Sequence, residues 1–167
     1  MISRTEVENQ IKAQSDASWF FPSQVVAYQE LLPFLGGLHR VVNLYGAQGV
    51  GKTFLAHTLC KENRIDYVSS PDLIRSASHP LAIDNAPFDR TAVRGMRNQA
   101  RKFDLRQVIL ITRYRVEDTI PSFALSLTPE DIRCFRATLF RSLDLRLPDC
   151  AALNLWEHLK LIGDVYG

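Results

Sequence analysis

Cysteines, long apolar runs and internal repeats are scarce or absent in this sequence. Its three cysteines are odd in number and lack C-x-x-C spacing, which argues against a disulfide framework or a zinc site and favours buried, reduced thiols. No apolar run approaches the ~20 residues of a membrane-spanning helix, and no signal peptide opens the sequence. We therefore expect no membrane partner and a cytoplasmic location.

Charge of one sign is not in large excess either. The formal net charge is +2 at pH 7 in a chain of 167 residues, so the total charge alone does not indicate a partner. Apolar residues make up 46% of the sequence, which is enough for a hydrophobic core and too many for global disorder. The length suits one domain of typical size with a small appendage.

Residues 46–53 carry the most specific motif of the sequence. They read GAQGVGKT and match the phosphate-binding pattern G-x-x-x-x-G-K-[ST] at every required position. The apolar segment 41–45 predicts a buried strand before the motif, and residues 52–62 predict a helix after it. Such a turn directs backbone N–H groups and a helix N-terminus at an anion. The residues expected around the phosphates are Gly46, Ala47, Gln48, Gly49, Val50, Gly51, Lys52, Thr53 and Phe54.

Two side chains of this loop have specific expected roles. The ammonium group of Lys52 is expected to reach the β- and γ-phosphates of a nucleoside triphosphate. The hydroxyl group of Thr53 is expected to hold Mg²⁺. The motif therefore predicts a site for a triphosphate with its metal ion.

Apolar strands and helices alternate through the middle of the chain, which predicts a mostly parallel sheet covered on both faces. The predicted strands are 41–45, 65–69, 79–84, 107–112 and 122–127, and the predicted helices among them are 52–62, a short one near 71–77, and 89–103. A polar stretch from Ile2 to Ala17 and a helix capped by Ser23 precede them. Helices over about 129–143 and 150–162 follow and predict a small helical cap. We therefore expect a nucleotide-binding domain over 1–128 and a cap or partial lid over 129–167.

Residues 19–22, Trp-Phe-Phe-Pro, form an aromatic cluster before the helix that Ser23 is expected to cap. Two interpretations are open. The rings can pack the N-terminal helix against the core, which we favour, or they can form a wall for an adenine base.

The segment 81–84 is a short apolar strand that ends in Asp84. A carboxylate at the C-terminal edge of a parallel sheet can reach Mg²⁺, usually through water. Asn85 follows where many ATPases have a glutamate that polarises the attacking water. An amide cannot accept a proton, so hydrolysis is expected to be slow or absent. Asp89 is the nearest alternative base, but its position favours a helix N-cap.

A second polar pair, Thr112 and Arg113, ends the apolar strand 108–112. The Thr112 hydroxyl and the Arg113 guanidinium fork are suited to contact a γ-phosphate. The alternative is a strand end that faces solvent.

These motifs resemble the Walker A, Walker B and sensor 1 motifs of AAA+ and STAND-type P-loop ATPases, over about residues 20–145. The segment 109–113, Ile-Leu-Ile-Thr-Arg, is similar to the sensor of NB-ARC-like STAND proteins. The resemblance implies a three-layer P-loop NTPase fold with a five-stranded sheet in the order 5-1-4-3-2. It also implies ATP and Mg²⁺ as cofactors and assembly into oligomers. The sequence departs from the family at Asn85, in the short spacing from Lys52 to Asp84, and in lacking the G-L-P-L lid motif.

Eight basic residues and one acidic residue lie between Arg90 and Arg115. Arg94, Arg97 and Arg101 have helical spacing and share one face. This stripe can contact nucleic-acid phosphates, supply an arginine finger to a neighbouring subunit, or form a solvated helix face.

The sequence thus favours an ATP-binding switch or assembly ATPase with weak turnover, in which Lys52, Asp84, Asn85 and Arg113 act on the phosphates. One alternative is a pseudo-ATPase that docks a protein partner, as Asn85 suggests. The other is a small-molecule or nucleotide kinase, for which we find no acceptor base in the sequence.

Overall fold

The computed structural model describes residues 4–14, 16–117 and 119–166. Ile2, Ser3 and Ser15 of the predicted N-terminal stretch lie outside these residues. The elements are α1 (Arg4–Gln14), α2 (Pro22–Leu31), β1 (Val41–Tyr45), α3 (Lys52–Lys61), β2 (Asp66–Val68), β3 (Leu81–Ile83), α4 (Arg90–Lys102), β4 (Val108–Thr112), β5 (Ser122–Ala124), α5 (Pro129–Leu143) and α6 (Leu155–Tyr166).

The five strands form one sheet in the order β2-β3-β4-β1-β5, and every neighbouring pair is parallel. This order confirms the predicted 5-1-4-3-2 arrangement, with β4 inserted between β1 and β3. Val41 pairs with Val108 and Tyr45 pairs with Thr112, so β1 and β4 end together. The turns that follow β1, β3 and β4 therefore meet at one edge of the sheet.

Alternating side chains of the central strands build two hydrophobic layers. Val42 and Leu44 of β1 and Ile109 of β4 pack with residues of α2, α3 and α5 on one face. Leu110 of β4 packs with Val93 and other residues of α4 on the opposite face. Because both faces are covered, β3 and β4 are buried along their whole length and the central strands are mostly apolar. The predicted three-layer α/β fold is confirmed.

A third hydrophobic cluster joins the two ends of the chain. Val7 and Ile11 of α1 pack with Leu139 of α5 and with Leu159 and Ile162 of α6. The N-terminal helix therefore packs with the two C-terminal helices, which the polar composition of its sequence did not indicate. The last helix begins at Leu155 rather than at Cys150, because Asn154 caps it by accepting a hydrogen bond from the N–H of Trp156 at 2.9 Å.

The predicted helix cap at Asp89 is confirmed. Asp89 accepts from the N–H of Ala92, and Thr128 forms a capping box with Asp131. The prediction for Ser23 is wrong. Phe21 is the N-cap and Pro22 the first residue of α2, because proline fits the first helical position. The N–H and hydroxyl groups of Ser23 instead donate to the carboxylate of Asp131, at 2.9 and 2.7 Å.

Other predictions need smaller corrections. The helix expected near 71–77 is only a three-residue 3₁₀ turn, Pro71–Leu73. Cys60, Cys134 and Cys150 are free, as expected, but all are only partly buried. Within the described part of the chain, no helix has both the length and the apolar character needed to cross a membrane.

Asp131 links α5 to α2, and its removal should destabilise the fold. Its carboxylate accepts four hydrogen bonds, from the N–H and hydroxyl groups of Ser23 and Thr128. Burial raises the pKa of this carboxyl, but these hydrogen bonds outweigh burial and lower the pKa overall. We expect Asp131→Asn to lower the free energy of unfolding by about 2–3 kcal/mol at pH 7, measured by urea denaturation.

The pH dependence of this difference follows from the lowered pKa. The stabilisation by the carboxylate is complete above the pKa of the unfolded state and is lost as pH falls through the folded-state pKa. The difference in the free energy of unfolding between wild type and Asp131→Asn should therefore become smaller below about pH 4. Asp149→Asn, which alters a fully exposed carboxylate paired with Arg136, is the control and should leave stability unchanged. An equal effect of both variants would contradict this role for Asp131.

Candidate functional site

The loop from β1 to α3 begins at Gly46, a position where only glycine fits. A Cβ atom on Gly46 would lie 2.1 Å from the carbonyl oxygen of Leu125, far inside van der Waals contact. Gly51, the N-cap of α3, has φ +92°, in the left-handed region that glycine adopts without strain. The glycines of the motif thus allow the loop to curl tightly over the N-terminus of α3.

Lys52 lies beneath this loop. Its Nζ donates to the carbonyl oxygens of Gly46 and Ala47, at 2.6 and 2.7 Å. Burial lowers the pKa of Lys52 to about 8, against the opposing charge of Asp84 and with a smaller contribution from Arg113. The ammonium group is therefore held by weak carbonyl acceptors, and an anionic ligand would be a much stronger partner.

Asp84, at the end of β3, connects the loop to the neighbouring strands. Its Oδ2 accepts from the Thr53 hydroxyl at 2.7 Å and from the Tyr67 hydroxyl at 2.8 Å. Its Oδ1 accepts from the N–H of Asn85 at 2.8 Å. The two side chains expected to hold Mg²⁺, Thr53 and Asp84, are thus in direct contact.

The oxygen atoms of Thr53 and Asp84 suit a Mg²⁺ ion that is bound together with phosphates. No group of three or more His, Cys, Asp or Glu side chains able to hold a metal ion occurs among the described residues, so the protein alone offers no complete cage. Mg²⁺ characteristically keeps several waters and takes only one or two protein ligands beside substrate phosphates. The Thr53 hydroxyl and the Asp84 carboxylate are the side chains that would hold it.

Tyr67 is a part of this site that the sequence did not reveal. It lies on β2, and its ring stacks on the ring of His57 with centroids 4.4 Å apart. Burial and the hydrogen bond to Asp84 raise the pKa of its hydroxyl, so the phenol stays a neutral donor at physiological pH. No motif marks this tyrosine, because its position depends on the parallel pairing of β2 with β3.

Asn85 does not face the phosphate loop with its amide. The residue has φ +51°, a left-handed conformation that asparagine tolerates better than most residues. Its Nδ2 donates to the carbonyl oxygen of Ser69 at 3.0 Å. The side chain that replaces the expected acidic residue therefore bridges the turns that follow β2 and β3.

Thr112 and Arg113 are placed differently from each other. The Thr112 hydroxyl is buried, accepts from Asn43 Nδ2 at 2.8 Å and donates to the carbonyl oxygen of Tyr114 at 2.6 Å. The guanidinium of Arg113 is exposed and donates to the side-chain oxygen of Gln48 in the loop. The structure thus brings Arg113 to the loop, whereas the hydroxyl of Thr112 already has two internal partners.

A cavity of about 740 Å³ opens beside these groups. Its polar lining includes Lys52, Thr53, Asp84 and Arg113, and its apolar lining includes Ile11, Trp19, Phe21, Phe54, Leu155 and Leu159. This size and mixture of surfaces are typical of a small-ligand site. Both interpretations of the aromatic cluster have support, since Trp19 and Phe21 line the cavity while Phe21 also belongs to the core.

The start of α6 is attached directly to the phosphate loop. The N–H of Leu155 donates to the carbonyl oxygen of Gly49 at 2.8 Å, and Asn154 Nδ2 donates to that of Gln48 at 3.1 Å. A Cβ atom on Gly49 would lie 2.1 Å from Asn154 Oδ1. Two hydrogen bonds therefore tie the loop to the start of the C-terminal helix.

The basic stripe on α4 does not reach this cavity. Arg94 and Arg101 are exposed, and Arg97 pairs with Glu117 at 3.6 Å. None of the three lines the large cavity. The arrangement leaves the stripe for another ligand, a neighbouring subunit or solvent.

Comparison with known proteins supports the fold. No protein-family model and no curated protein matches this chain. Among solved structures, the replication initiator DnaA bound to AMPPCP and single-stranded DNA is 17% identical, with a TM-score of 0.52 over 82% of this chain and 59% of that one. A structure described as a DNA replication initiation factor is 18% identical, with a TM-score of 0.53 over 82% and 59%. AMPPCP-bound DnaA from Aquifex aeolicus is 18% identical, with a TM-score of 0.52 over 85% and 61%.

At these identities the similarity concerns the fold. The chain has an α/β fold like that of the DnaA structures, with a parallel five-stranded sheet. It spans 59–61% of the length of those three structures.

If Tyr67 holds Asp84 in place for the metal ion, then Tyr67→Phe should weaken Mg²⁺ binding and leave the fold intact. The variant keeps the ring contact with His57 and removes only the hydroxyl that donates to Asp84. Loss of a hydrogen bond to a charged group predicts a rise of about tenfold in the Mg²⁺ concentration that half-saturates ATP binding. Titration of Mg²⁺ at fixed ATP, followed by thermal shift, measures this.

Tyr28→Phe is the matched control, because the Tyr28 hydroxyl also donates to a carboxylate, that of Glu62, at 2.8 Å and away from the loop. It should leave the Mg²⁺ requirement unchanged. An unchanged or lower requirement in Tyr67→Phe would refute the positioning role.

Proposed function

We propose that this chain binds ATP with Mg²⁺ and acts as a nucleotide-dependent switch or assembly factor with slow hydrolysis. The observation that carries the proposal is the convergence of Lys52, Thr53 and Asp84 in the lining of a cavity of about 740 Å³ that also exposes a large apolar surface. A triphosphate suits the polar groups and a base suits the apolar surface. The AMPPCP named in two of the similar structures agrees with this choice of ligand.

The roles of the residues follow from their positions. Lys52 would exchange its carbonyl partners for the β- and γ-phosphates, and the N–H groups of residues 47–53 would surround the phosphates. Thr53 and Asp84 would hold Mg²⁺, which neutralises charge on the phosphates when bound. Arg113, now on Gln48, would be a second cationic side chain near the γ-phosphate, with Thr112 behind it.

Slow hydrolysis is proposed because no carboxylate follows Asp84. The Asn85 amide is bound to Ser69, so it neither accepts a proton nor aims at a γ-phosphate. If turnover is absent altogether, the chain is a pseudo-ATPase that docks a partner. The pseudo-ATPase alternative also rests on Asn85.

The switch is proposed to act through α6. Because Asn154 and Leu155 are hydrogen-bonded to the phosphate loop, a change in loop conformation would change the position of α6. We propose a nucleotide-binding unit over 1–128 and a helical cap over 129–167 on this basis. Cytoplasmic location, self-assembly and membership of the STAND branch, suggested by residues 109–113, are further parts of the proposal.

Nucleic acid is proposed as a partner of this switch. One of the similar structures contains single-stranded DNA, and Arg94, Arg97 and Arg101 lie on α4 outside the nucleotide cavity. A protein docked on the same stripe is the alternative.

Calorimetric titration with ATP–Mg²⁺ tests the proposed function. Removal of the ammonium group in Lys52→Ala should weaken ATP binding at least about 30-fold, because hydrogen bonds between charged groups are lost. Lys102→Ala, at the exposed end of α4, should bind like wild type. Full ATP affinity in Lys52→Ala would refute the assignment of the loop.

The affinity of the wild type should also depend on pH. Phosphates raise the pKa of Lys52 above the value of about 8 in the free protein, so binding takes up a proton and weakens as pH rises through 8. We expect about tenfold weaker binding at pH 9 than at pH 7. This slope should disappear in Lys52→Ala.

Asn85→Glu tests the explanation of slow hydrolysis. A carboxylate at this position can accept a proton from water, so phosphate release from ATP should rise while ATP affinity stays the same. The left-handed backbone at this residue should cost roughly 1 kcal/mol of stability. Asn85→Gln has the same length without the base and should not raise turnover. An unchanged rate in Asn85→Glu would contradict the explanation.

A further inference from the structure

A second, smaller cavity of about 280 Å³ lies at the opposite edge of the sheet. His39 and Arg40 line it just before β1, Arg97 and Arg101 line it from the end of α4, and Thr119 lines it before β5. The cavity thus collects three arginines from two separate segments. No residue lines both this cavity and the nucleotide cavity.

The charges around this cavity are poorly compensated. Its lining includes no Asp or Glu among the described residues. The side chains of Arg40 and Arg101 form no hydrogen bond or ion pair within the described chain, and Arg97 has only Glu117, at 3.6 Å. Guanidinium groups stay charged at any physiological pH, so Arg40 and Arg101 are available to an anion from outside the chain.

We propose that this cavity binds phosphate groups of a nucleic-acid strand. Arginine forks match phosphate oxygens in pairs, and the hydroxyl of Thr119 supplies a further donor. The volume holds a phosphate and its linkages but is small for a whole nucleotide. The lining contains no Phe, Tyr or Trp, and its one aromatic ring, that of His39, packs on Phe34 with centroids 5.6 Å apart. We therefore infer a contact to the backbone that is independent of sequence.

The arrangement divides the basic stripe of α4. Arg97 and Arg101 line the cavity together with Arg40, whereas Arg94 lies on the same helix outside it. Sequence spacing placed Arg94, Arg97 and Arg101 in one group and gave no sign of Arg40, which the sheet brings in from the start of β1.

The smaller, arginine-lined cavity and the nucleotide cavity lie at opposite ends of β1. Val41 lines the small cavity, and the phosphate loop begins directly after Tyr45. The length of the strand separates them by about 13 Å, so both can be occupied at once. The inference gives the nucleic-acid partner of the proposed function a location, and it does not depend on ATP binding.

Fluorescence anisotropy of a labelled oligothymidylate, titrated with the full chain over a range of salt concentrations, tests the proposal. The double variant Arg40→Gln with Arg101→Gln should weaken binding at least tenfold. It should also reduce the slope of log affinity against log salt by about 1.4, since each lost phosphate contact on a single strand contributes about 0.7. The matched control is Arg90→Gln with Lys102→Gln, which removes the same charge from exposed positions at the two ends of α4 outside the cavity and should change affinity less than twofold.

Several results would overturn the inference. Equal losses in the two double variants would mean diffuse attraction to a basic helix, and an absence of DNA binding by the wild type would remove the site. Displacement of the oligonucleotide by an equal concentration of inorganic phosphate would assign the cavity to free phosphate. Equal displacement by polyglutamate would assign it to an acidic protein.

Failure of this inference can be told apart from failure of the proposed function. Lys52→Ala should lose ATP binding and retain oligonucleotide binding. Loss of both in that variant would contradict the independence of the two cavities.

Discussion

The contact between Gly46 and Leu125 is the constraint on which the rest of the site depends. A side chain on residue 46 would collide with the Leu125 carbonyl, and the N–H of Leu125 donates to the carbonyl of Tyr45 at 2.8 Å. The chain leaving β5 thereby fixes where the loop leaves β1. From that point the loop has little freedom, and its carbonyls enclose the ammonium group of Lys52.

Buried polar bonds extend this constraint across the sheet. Asn43 lies fully buried in β1 and donates to the Leu110 carbonyl and the Thr112 hydroxyl of β4. The shared carboxylate of Asp84 then joins α3, β2 and β3 through Thr53 and Tyr67. Because these groups are satisfied by one another, hydrogen bonds hold the carboxyl edge of the sheet together before any ligand binds. Such preorganisation lowers the entropic cost of binding.

Local patterns predicted those features that depend on neighbouring residues. The bounds of β1 and the start of α3 follow from an apolar run and a glycine-rich turn, and the cap at Asp89 follows from helix chemistry. Asp131 illustrates the opposite case, since its bond to Ser23 joins residues 108 apart in the chain and turned the expected cap at Ser23 into a tertiary contact. Tyr67 and Arg40 were missed for the same reason, because only the order of the strands brings them to their sites. The attachment of α6 to the loop likewise needed the packing of α1 against the C-terminal helices.

The account holds that a nucleotide occupies the cavity between the phosphate loop and the helices at the two ends of the chain. Hydrogen–deuterium exchange with and without ATP–Mg²⁺ tests this claim most directly. The account predicts slower exchange in residues 46–54 together with residues 4–14 and 155–162, since all three segments border the cavity. Unchanged exchange in the loop, or protection confined to segments away from the cavity, would contradict it.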